Sequence, residues 1–170
     1  MNGKTIARYG LLIALALILS YAEAQIPAFF AVPGMKLGLT NLVVLLALYR
    51  MGSGSAVTIN MIRIVLVALL FGNGMSLAYS AAGGLLSGGV MILLKKTGRF
   101  SVVTVSIAGG VMHNVGQILV AMVLLGTSSL AWYLLILWFT GIASGAVIGI
   151  LGGLLCGRLE KYVGQEKETP

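Results

Sequence analysis

The sequence predicts an all-α fold, a polytopic integral membrane protein of about six transmembrane helices, and three observations carry that prediction. Of the 170 residues, 59% are hydrophobic and 9% are charged, against ~25% charged in a soluble domain. The chain therefore holds too few charges to cover its own surface in water. Its apolar residues fall in continuous runs, with a mean hydropathy of +1.05, and not in the ~10-residue alternating segments of an outer-membrane barrel. Its basic residues stand mostly between those runs. At ~20 residues per span plus short connections, the whole length is filled by a single transmembrane domain, 1–170. The 24 glycines agree, because small residues let helix backbones approach in lipid, where packing replaces the hydrophobic drive.

Segment one, roughly 5–24, follows a basic start (Lys4, Arg8) like that of a signal peptide. Its apolar run continues to about Ala24 and further spans follow, so it reads as an uncleaved first helix. The stretch Gln25–Met35 contains Pro27, Pro33 and the adjacent Phe29 and Phe30, and predicts a structured loop able to cover a pocket. Segment two, roughly 37–49, is short for a span, so it enters tilted or starts below the surface. Arg50–Ser55 reads as a flexible turn. Segment three, roughly 56–71, is closed by Gly72-Asn73-Gly74, residues that tolerate positive φ. Segments four, five and six follow at roughly 75–94, 102–125 and 130–156, and 157–170 reads as a loose polar tail.

Charge placement sets an orientation. With the N-terminus inside, the inner face receives Lys4 and Arg8, then Arg50, then Lys95, Lys96 and Arg99, then Arg158, Lys161 and Lys167. The outer turns Gly72–Gly74 and Gly126–Ser129 carry no charge. The positive-inside rule then places both termini in the cytoplasm of a cell with this protein in its plasma (inner) membrane. Trp132, Tyr133 and Trp138 open segment six near the outer face, as an aromatic belt would. Topology accounts for the net charge of +7, and no nucleic-acid partner is expected. The single cysteine, Cys156, excludes an intrachain disulfide and a Cys-rich metal site.

The residues that do not belong in lipid form a short list. A charge at the bilayer centre costs at least ~2.5–3.5 kcal/mol, so such a residue faces a cavity or a partner. Arg63 lies well inside segment three, with Asn60 one turn earlier on the same face. His113, Asn114 and Gln117 share a face near the middle of segment five. Glu23 and Lys36 bracket the first outer loop, where a salt bridge between them would staple it, and Asn41 lies about a turn inside segment two. Apolar walls with a few convergent polar groups describe a small-molecule site. The candidate ligand contacts are thus Glu23, Lys36, Asn41, Asn60, Arg63, His113, Asn114 and Gln117, with Lys36 and Arg63 meeting negative charge. Structural pairing between helices is the competing role for each. The chain has no aspartate, no Walker loop and no legible Ser-His-acid grouping, so neither catalysis, nor a cofactor, nor a metal site is expected.

The run Ile26-Pro27 through Pro33-Gly34-Met35-Lys36-Leu37-Gly38-Leu39-Thr40-Asn41-Leu42-Val43 resembles the signature of a bacterial membrane family. That family is described both as Gx transporter and as heptaprenyl diphosphate synthase component I. In size and layout, over nearly the whole chain, the sequence is also similar to the substrate-binding S components of energy-coupling factor (ECF) transporters. The resemblance implies an S-component-like bundle that binds a vitamin or metal. It implies delivery by toppling inside a module with a transmembrane coupling subunit and two ATPases. It also implies small residues four apart on the first helix that dock on the coupling subunit, a pattern that Gly10 and Ala14 match loosely.

The expected function is a membrane substrate-binding subunit that captures a small, anionic or vitamin-like molecule for uptake by an ECF-type transporter. Two alternatives stay open: a membrane subunit associated with a polyprenyl diphosphate synthase, and a structural subunit of a membrane redox complex.

Overall fold

The computed structural model describes residues 2–25 and 38–165, with side chains described as far as Glu160. The described residues form six α-helices: α1 (Gly3–Gln25), α2 (Leu39–Arg50), α3 (Ser53–Phe71), α4 (Gly74–Thr97), α5 (Val102–Leu125) and α6 (Tyr133–Gln165). A 3-10 turn, Ser129–Trp132, precedes α6. Four of these helices, α1, α3, α4 and α5, and the stretch Ser129–Glu160 are long and apolar enough to cross a membrane. The chain is therefore a multi-pass membrane protein, with its lipid-facing surface built of exposed apolar side chains. Leu69, Val123 and Phe139 are each more than 70% exposed, an arrangement that hydrocarbon tolerates and water does not.

The short α2 is the exception. At 1.5 Å per residue its twelve residues reach ~18 Å, well under the ~30 Å hydrocarbon thickness. It is also the most enclosed element, with Val43 through Leu48 all buried. Its neighbours are α1, α3 and α6. The expectation that segment two is too short to span holds.

Several boundaries differ from the sequence reading. Ser53–Ser55, read as part of a flexible turn, form the first turn of α3. Within that turn Ser55 Oγ donates to the Met51 carbonyl, and one turn on Thr58 Oγ1 donates to that of Gly54, the bond to the carbonyl four residues back that a helical Ser or Thr makes. The fourth helix runs past Leu94 to Thr97 and stops at Gly98, whose φ of +67° a glycine adopts without strain. The last helix starts at Tyr133, after the 3-10 turn that takes up Leu130, and it continues beyond Cys156 to Gln165 where a loose tail was expected. Residues 157–165 hold no proline, and a polar helix leaving the bilayer can be solvated on all sides. The loop 26–37, with Phe29 and Phe30, and the tail beyond Gln165 lie outside the described residues.

Two kinds of packing build the bundle. In α4, α5 and α6 the backbones touch. A Cβ on Gly145 would lie 2.6 Å from the Ile107 Cα, one on Gly149 2.7 Å from the Val103 Cα, and one on Gly110 2.6 Å from the Gly141 carbonyl oxygen. On the other side of α5, a Cβ on Gly116 would fall 2.8 Å from the Ala82 carbonyl oxygen. Gly141, Gly145 and Gly149 recur every fourth residue, the small-residue spacing that lets membrane helices approach. In α1, α2 and α3 side chains do the packing, around Ala16, Val43, Leu45, Leu48 and Ile59.

Apart from Arg63, the described basic side chains collect at one end of the bundle. Lys95 of α4 donates to the Leu48 carbonyl near the C-terminus of α2 and sits over the Tyr49 ring, 4.9 Å from its centroid. Tyr9 near the start of α1 donates to Ser55 at the start of α3, at 2.7 Å. These bonds place Arg8, Arg50 and Lys95 on one side, with the uncharged turns at Gly72–Gly74 and Gly126–Ser129 on the other.

The backbone contacts of α5 with α6 set an expected outcome. Gly145→Leu must push the two backbones apart, and its thermal midpoint in detergent should fall by the equivalent of ~1–3 kcal/mol or more. Gly153→Leu, where nothing lies within 4 Å of the added Cβ, should melt with the parent.

Candidate functional site

All six helices contribute to one polar cavity of about 130 Å³, far more than the ~10–15 Å³ that a single water requires. It reaches from Phe71, Gly72 and Ser76, at the uncharged end of the bundle, to Arg63, His113, Asn114 and Ser144. By helical rise these last residues lie ~12–17 Å from the nearer ends of their helices, near the middle of the membrane.

Arg63 dominates the deep part. It is 8% exposed, and its Nη2 donates to Asn60 Oδ1 at 2.7 Å, one turn back on the same helix. Its Nε is buried without a hydrogen-bond partner. A guanidinium carries five donors, and among the described residues this is its one hydrogen bond. No carboxylate lies within 4 Å of it among the described residues, although Glu23 acts on it through space. Asn60 in turn reaches toward the Gly84 carbonyl of α4 at 3.4 Å. Gly84 is required there, since a Cβ would come within 2.9 Å of the Asn60 amide nitrogen and 2.7 Å of Ile64. Asn60 is thus a positioning residue for the guanidinium.

Glu23 sits toward the uncharged end, on α1, and holds the start of α2. The Gly38 N–H donates to its Oε1 at 2.5 Å, and the Thr40 hydroxyl approaches Oε2 at 3.5 Å. Ser20 and Thr40 share a buried hydrogen bond of 3.1 Å. A carboxylate at a helix N-terminus meets both its free N–H groups and the positive end of its dipole. Gly38 has φ +75°, a left-handed conformation that glycine supplies without strain. Asn41, one turn on, faces the same cavity.

From α5 come His113 and Asn114. Asn114 is buried and donates to the Leu137 carbonyl of α6 at 2.7 Å, so it ties two helices together while bordering the cavity. His113 is half-buried on the cavity wall, with its carbonyl 2.8 Å from where a Gly83 Cβ would stand.

Of the candidate contacts read from sequence, the fold brings Glu23, Asn41, Arg63, His113 and Asn114 onto one cavity, with Asn60 behind Arg63. Gln117 is set apart from that lining. Its Cγ lies against Gly83 on the α4 side of α5, where it packs. Lys36 lies outside the described residues. Gly10 and Ala14 are exposed on α1, with nothing within 4 Å of a Gly10 Cβ. Sequence reasoning missed the cavity's hydroxyls, Ser20, Thr40, Ser76, Ser80 and Ser144. Hydroxyls are common in membrane helices, and the i, i+4 pair Ser76 and Ser80 was the one available hint. Among the described residues no three of His, Cys, Asp and Glu come together as a metal site.

Residues 12–155 match the family model described as heptaprenyl diphosphate synthase component I. No curated protein and no solved structure matches the chain.

The surroundings of Arg63 predict its response to removal. Its one hydrogen bond among the described residues is to its own helix, so Arg63→Ala should change the stability of the ligand-free protein by no more than the ~1 kcal/mol of a single hydrogen bond. Breaking a buried ion pair would cost ~3–5 kcal/mol. Thermal melting of the ligand-free variant distinguishes the two, and a loss of the larger size would give Arg63 a helix-clamping role.

Proposed function

The chain belongs to the heptaprenyl diphosphate synthase component I family, and from that premise we propose that it is a substrate-binding membrane subunit. In this reading it resembles an ECF S component, capturing a small molecule from outside the cell for uptake. The supporting observation is the cavity lined by all six helices, with a buried arginine that has no carboxylate in contact among the described residues. A cation kept at that depth without a counter-ion in contact is costly, and a ligand's negative group offsets the cost when it binds. The neutral walls and hydroxyls then supply orientation. The role is binding rather than catalysis, since the chain contains no aspartate and no nucleotide-binding loop of its own.

The positive-inside rule orients this reading. With Lys4, Arg8, Arg50, Lys95 and Lys96 in the cytoplasm, both termini are inside and the cavity lies toward the outer face. The exposed small residues Gly10 and Ala14 on α1 offer a close-approach surface to a transmembrane coupling subunit. The family's description favours a second reading, in which the chain is the membrane partner of a polyprenyl diphosphate synthase and its basic cytoplasmic end meets diphosphate.

Native mass spectrometry in mild detergent tests the first reading: the wild type should retain a small molecule and Arg63→Ala should not. Co-purification separates the two readings. Recovery with an ATPase module, abolished by Gly10→Leu or Ala14→Leu, supports uptake, whereas recovery with a synthase supports the second.

Orientation has its own check in a Cys156→Ser background. Cysteines at Asn73 and Ser128 should react with an impermeant thiol reagent in intact cells, and one at Gly98 should not. The reverse pattern would invert the topology.

A further inference from the structure

The cavity holds two opposite charges that do not touch. Arg63 stands at its deep end and Glu23 toward its outer end, and no ion pair joins them among the described residues. Each is held by its own helix geometry. Asn60 fixes Arg63 from behind, and the start of α2 fixes Glu23 through the Gly38 N–H and Thr40. Among the described residues neither arrangement exhausts the group: Arg63 makes one hydrogen bond of its five donors, and two of a carboxylate's roughly four acceptor sites are engaged at Glu23.

A purely anionic ligand would satisfy Arg63 but face the Glu23 carboxylate inside one small, poorly screened space. A purely cationic ligand would meet the converse problem. A molecule carrying both charges meets an opposite charge at each end and leaves the cavity neutral overall, which matters most where the surroundings are apolar. Resting on the reading of the cavity as a ligand site, we propose that its substrate class is a small zwitterion of the amino-acid type. The carboxylate lies at Arg63 and the ammonium at Glu23.

A matched set of probes tests this: glycine, β-alanine, γ-aminobutyrate and 5-aminovalerate as zwitterions of increasing charge separation, with butyrate and butylamine carrying one charge each. Binding to the purified full-length protein is followed by thermal midpoint and by titration calorimetry. At least one zwitterion should bind tenfold or more tightly than butyrate and butylamine. Glu23→Gln keeps an acceptor for the Gly38 N–H, so it should fold normally. It should weaken that zwitterion at least tenfold while strengthening butyrate, and Arg63→Ala should lose both. Butyrate binding the wild type as well as any zwitterion, or an unchanged preference in Glu23→Gln, would overturn the zwitterion. If no probe binds, the molecule retained in native mass spectrometry decides. One with both an acid and an amine, lost from Glu23→Gln, upholds the proposal. One without an amine overturns it but leaves the substrate-binding role standing, and an empty protein overturns both.

Discussion

A twelve-residue helix of ~18 Å cannot reach both faces of a ~30 Å hydrocarbon layer, so α2 leaves polar backbone at one end or both for the protein to satisfy. Its N-terminal N–H groups and C-terminal carbonyls have to find partners within the protein. Glu23 of α1 supplies one at the start, accepting from the Gly38 N–H, and Lys95 of α4 supplies one at the end, donating to the Leu48 carbonyl. An anion at the N-terminus and a cation near the C-terminus also match the direction of the helix dipole. The arrangement explains why two charged side chains reach into the bundle. It also explains how so short an element can be its most enclosed part.

The start of α2 also borders the cavity. Gly38, Thr40 and Asn41 line it beside the last turn of α1, where Glu23 accepts from the Gly38 N–H. The opposite wall is formed by α5 and α6, which glycine seams hold together so closely that the backbones fix its shape. Side-chain packing on one side and backbone packing on the other thus give a cleft between a more adaptable part and a more rigid one. Polar groups gather there because each would be unsatisfied on the lipid face.

Among the described residues Arg63 has no ion-pair partner. Its partner is a neutral amide one turn back, itself directed toward a carbonyl of the next helix. That arrangement orients the guanidinium while leaving its charge uncompensated by contact.

The sequence by itself determined the medium and the helical architecture, because continuous apolar runs in a chain with 9% charged residues have no other stable form. It also exposed Glu23, Arg63 and His113, since an ionisable residue stands out against an apolar background. The shortness of segment two could be read from its length alone. The tertiary structure decided which of those polar residues meet. His113, Asn114 and Gln117 lie on one helix face and His113 and Gln117 both pack against Gly83, yet only His113 and Asn114 border the cavity. Helical spacing gives a residue's angle on its own axis but says nothing of what stands opposite. The Ser and Thr lining was silent for a related reason: a hydroxyl in a membrane helix can bond its own backbone, so only the position of the other helices decides whether it serves a cavity.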